Sequence, residues 1–286
     1  RVDGVASAID VAAGLEHLVA RVADAWTGPA APPVRLLPNR LAFTDLPAPG
    51  AGRGVPIGVA EDDLGPAYLD LLGADPHFVV FGDGESGKTN LLRLFLTGLI
   101  ASQSPEQARI VVVDYRRTLL DAVPPAHLVG YAGAGPAAAD LVARVADVLA
   151  SRLPPADLSA RQLRDRSWWT GGEVYVVVDD YDLVMSPTGN PLLPLVEFVA
   201  LGRDLGFHLV LTRRVAGAAR AGFEPLMARL HELGTPGLIL SGDRQEGPVI
   251  GAHRASEQPP GRGLLVHRRR PPVLVQTAET PALLAV

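Results

Sequence analysis

The chain has 286 residues, which suits one large domain or a domain with an appendage, and its 48% hydrophobic and 20% charged residues suit a folded core. It has no cysteine, which excludes disulfides, thiol catalysis, iron–sulfur clusters and cysteine-ligated zinc. No apolar run approaches the ~18 residues of a spanning helix, and the net charge of −5 argues against a surface built to coat nucleic acid.

In chain order, residues 5–25 predict an amphipathic helix, with Val5, Ile9, Leu15, Leu18, Val19 and Val22 on one face. Opening on Arg1 rather than Met, the chain is expected to be a piece of a longer protein. Thr27 to Gly58 is rich in Pro and Gly and reads as extended lead-in, with a short strand near Val34–Leu37. Residues 1–58 are therefore expected to be a helix and lead-in that pack on a module formed by 59–286. Within the module, strands are predicted at 77–81, 109–113, 127–131, 173–178, 207–212, 237–241, 263–267 and 272–276. Helices are predicted at 88–102, 136–150, 191–204 and 219–232. Strand alternating with helix implies an α/β fold, a mostly parallel sheet covered on both faces, and the helix-free closing strands imply an antiparallel edge.

Between the first strand and its helix stands Gly82-Asp83-Gly84-Glu85-Ser86-Gly87-Lys88-Thr89, a full match to the phosphate-binding pattern G-x-x-x-x-G-K-[ST]. Lys88 is the single lysine among 26 basic residues. In a composition that has drifted to arginine, lysine survives where a compact ammonium is needed and a planar fork will not fit. Backbone N–H groups of residues 82–90, Asn90 included, would converge with the helix N-terminus on ATP phosphates. Lys88 would neutralise the outer phosphates, and the Thr89 hydroxyl would ligate Mg²⁺. The same stretch also contains a dinucleotide fingerprint, Gly82-x-Gly84-x-x-Gly87, with Asp114 at the end of the next strand where a ribose-binding acid belongs. Lys88-Thr89, and a second acidic strand end further on, favour the phosphate loop.

That second strand end is Asp179-Asp180, after "EVYVVV". A P-loop ATPase holds Mg²⁺ through a carboxylate at the end of a buried strand, a place Asp179 fits. Asp180 stands where many such proteins carry a Glu base. It is one methylene shorter, and misplacement of about 1 Å can cost ~100-fold in rate. Asp180 reads either as a degenerate base or as a residue that turns the chain.

The remaining features have quieter readings. Trp168 and Trp169 read as packing rather than a base-stacking platform, and Arg161, Arg164 and Arg166 as a solvated face. Arg152, Arg203 and Arg214 are all eligible as an arginine finger. "PPGRG" around Arg262 either approaches the base and ribose or is a plain turn. The histidines lack metal-ligand spacing.

The stretches "HFVVFGDGESGKTNLLR", "EVYVVVDDYDLV", "GRDLGFHLVLTRRVAG", "LILSGDRQEG" and "PPGRGLLV" resemble an ATPase module of the FtsK/SpoIIIE-like family. The likeness is strongest to the last module of the EccC-type ATPase of type VII secretion in actinobacteria. The resemblance implies a RecA/ASCE-like P-loop NTPase fold, ATP and Mg²⁺ as cofactors, and a place at the cytoplasmic face of the membrane with the anchor outside this chain. It also implies neighbouring modules on the same chain, a homo-hexamer as one assembly of the full protein, and docking of the C-terminal signal of a WXG100-type substrate. No nucleic acid is expected as a partner. Two departures stand out. Asp180 replaces Glu, and Thr212, at the sensor-like position, is followed by Arg213 where DNA-translocating relatives carry Gln. Both point to tight binding with weak hydrolysis. A DNA translocase motor of the same fold, or a structural nucleotide-binding module, are the alternatives.

Overall fold

A computed structural model describes residues 8–29, 36–49, 54–185 and 189–280. The chain divides into two compact units, Arg1–Arg35 and Leu36–Val286. In the first, α1 (Ala8–Ala25) carries Leu15, Leu18, Val19 and Val22 at helical spacing. The strand expected near Val34–Leu37 falls partly outside the described residues, and Leu36–Leu37 are not in a strand.

The second unit holds twelve strands among the described residues: β1 (Val55–Ala60), β2 (Pro66–Leu69), β3 (His77–Phe81), β4 (Ala108–Asp114), β5 (Leu128–Ala132), β6 (Glu173–Asp179), β7 (Phe207–Arg213), β8 (Gly237–Ile239), β9 (Pro248–Ile250), β10 (His253–Arg254), β11 (Arg262–Val266) and β12 (Val273–Thr277). Ten form one sheet in the order β2-β1-β12-β11-β8-β3-β7-β6-β4-β5, and β9 pairs with β10 apart from it. The run from β8 to β5 is parallel, and β11, β12, β1 and β2 extend it antiparallel. The α/β class and the antiparallel edge thus stand as expected.

The lead-in contributes more than expected. β1 lies between β2 and β12, inside the sheet, and the compact unit that holds it begins at Leu36. Gly58 permits that pairing, because a Cβ there would lie 2.2 Å from the Gln276 carbonyl oxygen on β12. Its Pro and Gly content hid β1 from a periodicity argument.

Both sheet faces are apolar, as a doubly covered sheet requires. On one, Phe78, Val80, Ile110, Val112, Tyr175, Val177 and Val210 pack with α2 (Lys88–Ser102) through Leu91, Leu92, Phe95 and Leu99. On the other, Val79, Phe81, Val111, Val113, Val176, Val178, Leu209 and Leu211 pack with α3 (Gly135–Ser151) through Leu141, Val142, Val145 and Leu149. The strands alternate between these faces, so Asp114, Asp179 and Thr212, in phase with Val112, Val177 and Val210, share the α2 face.

Shorter helices complete the chain: α4 (Ala160–Asp165), α5 (Tyr181–Val184), α6 (Val196–Val199), α7 (Gly202–Leu205), α8 (Ala218–Ala221) and α9 (Pro225–Glu232). Two predicted helices are broken. The one at 191–204 becomes a 3-10 turn at Leu193–Leu195 followed by α6 and α7. The one at 219–232 splits into α8 and α9, because Glu224 is extended and Pro225 opens a new helix.

Candidate nucleotide site

β3 ends at Phe81, and the glycine loop leads directly into α2. Gly87, at the helix N-cap, has φ of +107°, a conformation that disfavours any other residue. Gly82 carries a tight approach too, since a Cβ there would lie 2.3 Å from Ser86 Oγ. Gly84 meets nothing within 4 Å and Glu85 is exposed at φ +58°, so the loop crest is open. Lys88 is buried at 8% exposure. Its Nζ donates to the Asp83 carbonyl at 3.1 Å, and Ser86 Oγ donates to the same oxygen at 2.9 Å. The Asp83 carboxylate meanwhile accepts from the Asp243 backbone N–H, tying the loop to the segment after β8.

The parallel register sets Asp114 opposite Asp179 across β4 and β6. Asp179 is buried and collects three hydroxyls. Thr89 donates to Oδ2 at 2.7 Å, Thr118 to Oδ2 at 2.9 Å, and Thr212 to Oδ1 at 2.6 Å. Thr212 Oγ1 also accepts from the Asp180 N–H at 2.8 Å, so the β7 end and the β6 end share one proton chain. The P-loop hydroxyl and the strand-end carboxylate therefore stand together, a donor set of oxygens that suits a hard divalent cation such as Mg²⁺.

Asp180 takes φ +47°, and its carboxylate lies between two cations: Oδ1 is 3.6 Å from Lys88 Nζ and Oδ2 is 2.7 Å from Arg116 Nε. Burial raises its carboxyl pKa; Lys88 and Arg116 oppose that shift, and Asp179 adds to it. Oδ1 makes no hydrogen bond.

A sequence profile of the FtsK/SpoIIIE family matches residues 55–220, more than half of the chain and the part that carries the loop, Asp179 and Thr212. The chain belongs to the FtsK/SpoIIIE family. It is 47% identical over 279 residues to the ESX secretion system protein EccC of Thermomonospora curvata, across 97% of this chain and 21% of that protein. It is 36% identical over 279 residues to the ESX-1 secretion system protein EccCb1 of Mycobacterium tuberculosis, across 93% of this chain and 47% of that protein. The chain thus spans from about a fifth to about half the length of these relatives. A solved structure of T. curvata EccC, comprising ATPases 2 and 3 in complex with a signal sequence peptide, superposes with a TM-score of 0.86 at 46% identity, covering 99% of this chain and 51% of that one.

Within this FtsK/SpoIIIE module several side chains near the loop have partners of their own. Arg213 is turned away from Thr212. It follows Thr212 on the strand and so faces the opposite side of the sheet, buried, with Nη1 donating to Glu224 at 3.0 and 3.2 Å. The Asn90 side-chain amide holds the segment after β12, donating to the Ala278 carbonyl and accepting from Thr280, which leaves the expectation for its backbone N–H untouched. Asp114 is fully buried and organises its own loop, accepting from the Arg116 and Leu119 N–H groups and the Tyr131 hydroxyl, which leaves nothing for a ribose. The Gly261 N–H donates to the Ser86 carbonyl, so "PPGRG" braces the loop from behind, while Arg262 is held by Gln276 and the Leu37 and Pro38 carbonyls.

Of the three arginines eligible as a finger, Arg152 is excluded by burial. Its guanidinium donates to the Leu205 and Gly172 carbonyls and lies 4.1 Å from the Trp169 ring centroid. Both tryptophans hydrogen-bond backbone carbonyls, as packing residues do. Arg203 is exposed before β7, at the end of the sheet away from the loop. Arg214 follows β7, at the loop end, and is 3.7 Å from Asp182.

Sequence reasoning missed Arg116 and Thr118. No motif marks them. Their signal was positional: "YRRT" follows the acidic end of a strand that lies beside β6.

Proposed function

We propose that this chain is an ATP·Mg²⁺-binding module of a type VII secretion ATPase, one that holds nucleotide tightly, turns it over weakly and serves substrate docking and regulation of export. The observation that carries the binding half is the convergence of Lys88, Thr89 and Asp179 at the ends of β3 and β6. Lys88 and the loop N–H groups bind phosphate, and Thr89 with Asp179 holds the cation. Bound Mg²⁺ would supply charge to the phosphate oxygens. Weak turnover is supported by Asp180, whose short carboxylate is engaged by Arg116, and by Arg213, whose guanidinium is engaged by Glu224 on the far face.

For docking, the face opposite α2 offers a cavity of about 270 Å³ lined by Phe81, Met227, Leu230, Val249, Ile250 and Val266. An amphipathic helix with anchors at i, i+3, i+4 and i+7 fits such a lining. The related EccC structure, solved with a signal sequence peptide, supports a peptide occupant, which this reading takes to be the C-terminal signal of a WXG100-type protein. In this reading the module works at the cytoplasmic face of the membrane, beside further modules of a longer chain that can close into a homo-hexamer. Among the described residues, no helix is long and apolar enough to cross a membrane.

One set of titrations tests the reading: ATP with and without Mg²⁺, a WXG100-type signal peptide, and duplex DNA, each against the purified chain. Tight ATP·Mg²⁺ binding that Asp179→Ala weakens far more than metal-free binding, with peptide bound and DNA not, is expected. DNA binding with DNA-stimulated turnover would identify a translocase motor instead.

A further inference from the structure

Asp180 holds two cations at the phosphate-loop end of the sheet. One is the P-loop Lys88; the other, Arg116, comes from the loop after β4. That loop is built to present it: Asp114 accepts from the Arg116 N–H at 3.1 Å and from the Leu119 N–H at 2.6 Å, and its carbonyl accepts from the Arg117 N–H. The Arg116 side chain is 45% exposed, and its guanidinium reaches the buried Asp180 carboxylate, 10% exposed, at 2.7 Å. Lys88 lies on the other oxygen of the same carboxylate. Both cations thus lie on Asp180, while Asp179 and Asp114 are held by hydroxyls and backbone N–H groups, and Asp182 is the next acid along the chain.

A phosphoryl group resembles a carboxylate with a third acceptor oxygen and binds arginine and lysine by the same charge-assisted contacts. We propose that Arg116 is a second phosphate-binding cation of this site, and that Asp180 is its internal competitor, occupying Lys88 and Arg116 until a terminal phosphate takes its place between them. The inference rests on the reading that the loop binds a nucleoside triphosphate. It assigns Asp180 a role that a shortened base does not have. A carboxylate with one oxygen on Arg116 and the other beside Lys88 is a counter-ion, and the αL backbone that Leu183 N–H anchors at the Asp180 carbonyl points it there.

The test is calorimetric titration of ATP and ADP, each with Mg²⁺, into the full 286-residue chain and its variants. Arg116→Ala should weaken ATP roughly tenfold and ADP much less, since the terminal phosphate is the group it touches. Arg116→Lys should recover part of the loss. Asp180→Asn, of equal size and no charge, should tighten ATP by several-fold. Arg116→Ala should cost more in the Asp180→Asn background than in the wild type, because the competitor is gone. Melting curves on each variant separate these effects from unfolding, and the partial exposure of Arg116 predicts little change there.

ATP affinity left unchanged by both Asp180→Asn and Arg116→Ala would overturn the proposal while leaving the P-loop reading intact. A wild-type chain that binds neither nucleotide would overturn both.

Discussion

The two ends of the parallel sheet both bury charge, and they do opposite things with it. At the end where the parallel strands begin, the buried ionisable groups His77, Arg152 and His208 are closed off by fixed partners. His77 sits between the Val199 carbonyl and the Leu209 N–H, and Arg152 between two carbonyls and an indole. His208 faces acceptors on both ring nitrogens, the Pro76 carbonyl and Glu173, and stacks on Tyr175. Burial alone would raise the Glu173 carboxyl, but its contacts with His208 and Arg166 more than reverse that, and it sits below the usual range. At the end where the strands finish, Asp114 and Arg213 are closed off in the same way, but Asp179 and Asp180 are not: Asp179 holds three hydroxyls and Asp180 two cations, and one Asp180 oxygen makes no hydrogen bond. Buried charge does not by itself mark a site. Contacts that another ligand can replace do, which is why the larger cavity at the first end, about 600 Å³ beside Glu173 and Arg166, is not the functional candidate.

The sharpest break of that comparison is at Lys88. Lys88→Ala is expected to abolish ATP binding, by roughly 100-fold or more in affinity, and to leave the melting temperature nearly unchanged. Lys88→Arg should fail as well, since the buried pocket formed by the Asp83 carbonyl and Asp180 fits an ammonium and not a planar fork. Wild-type affinity in the arginine variant would show that the lone lysine is an accident of composition.

Arg152→Ala should do the reverse. It strands the Leu205 and Gly172 carbonyls and removes the stack on Trp169, at a cost of about 3 kcal/mol in stability, and ATP affinity per folded molecule should not change. Chemical denaturation beside a titration checks both halves. A loss of nucleotide affinity without a loss of stability would mean the two ends are not separate.

How much of this was legible in the sequence depends on what fixes each element. β3 and α2 are placed to the residue at 77–81 and 88–102 because the loop between them admits only one geometry: the strand must stop at Gly82 and the helix must start at Lys88. β1 and β2 were not legible. Pro56, Gly58 and Pro66 read as punctuation; Gly58 is tolerated because β12 approaches closely there, and Pro66 because it opens an edge strand. The neighbours of Thr212 single it out in the sequence, but the side to which Arg213 turns is visible only in the strand, where successive residues face opposite ways. Arg116 could not be found at all without the sheet order, since it meets Asp180 only because β4 lies beside β6.

Acid should find the fixed end first. Burial holds the pKa of His77 down at about 4, against an ordinary 6.5, with the Val199 carbonyl opposing the shift and His208 adding to it. The unfolded chain therefore takes up a proton between those values that the folded chain refuses. The stability this histidine contributes is complete above pH 6.5 and is lost as the pH falls towards 4, by about 3 kcal/mol in all. His77→Gln, which keeps a donor and an acceptor but cannot ionise, should flatten the slope of unfolding free energy between pH 6.5 and 4. An unchanged slope would transfer the acid sensitivity to the neighbouring Glu173 carboxylate, whose pKa is lowered.

The smallest expected effect lies at Asp180, where length and charge can be separated. If Asp180 were a base that is merely too short, Asp180→Glu would restore its reach and turnover should climb towards the roughly 1–100 s⁻¹ of active phosphoryl-transfer enzymes. The geometry argues otherwise. The carboxylate already meets Arg116 at 2.7 Å, so an added methylene leaves the same ion pair available from a longer arm, and nothing on the Arg213 side turns back to hold water. Asp180→Glu is therefore expected to change turnover less than about tenfold, which is less than the ~100-fold a 1 Å repositioning of a working base can give. Steady-state phosphate release by the purified chain and its glutamate variant decides it. A rise of 100-fold would show that Asp180 is a base held short of its task, and that the exchangeable end of this sheet is one methylene from being a motor.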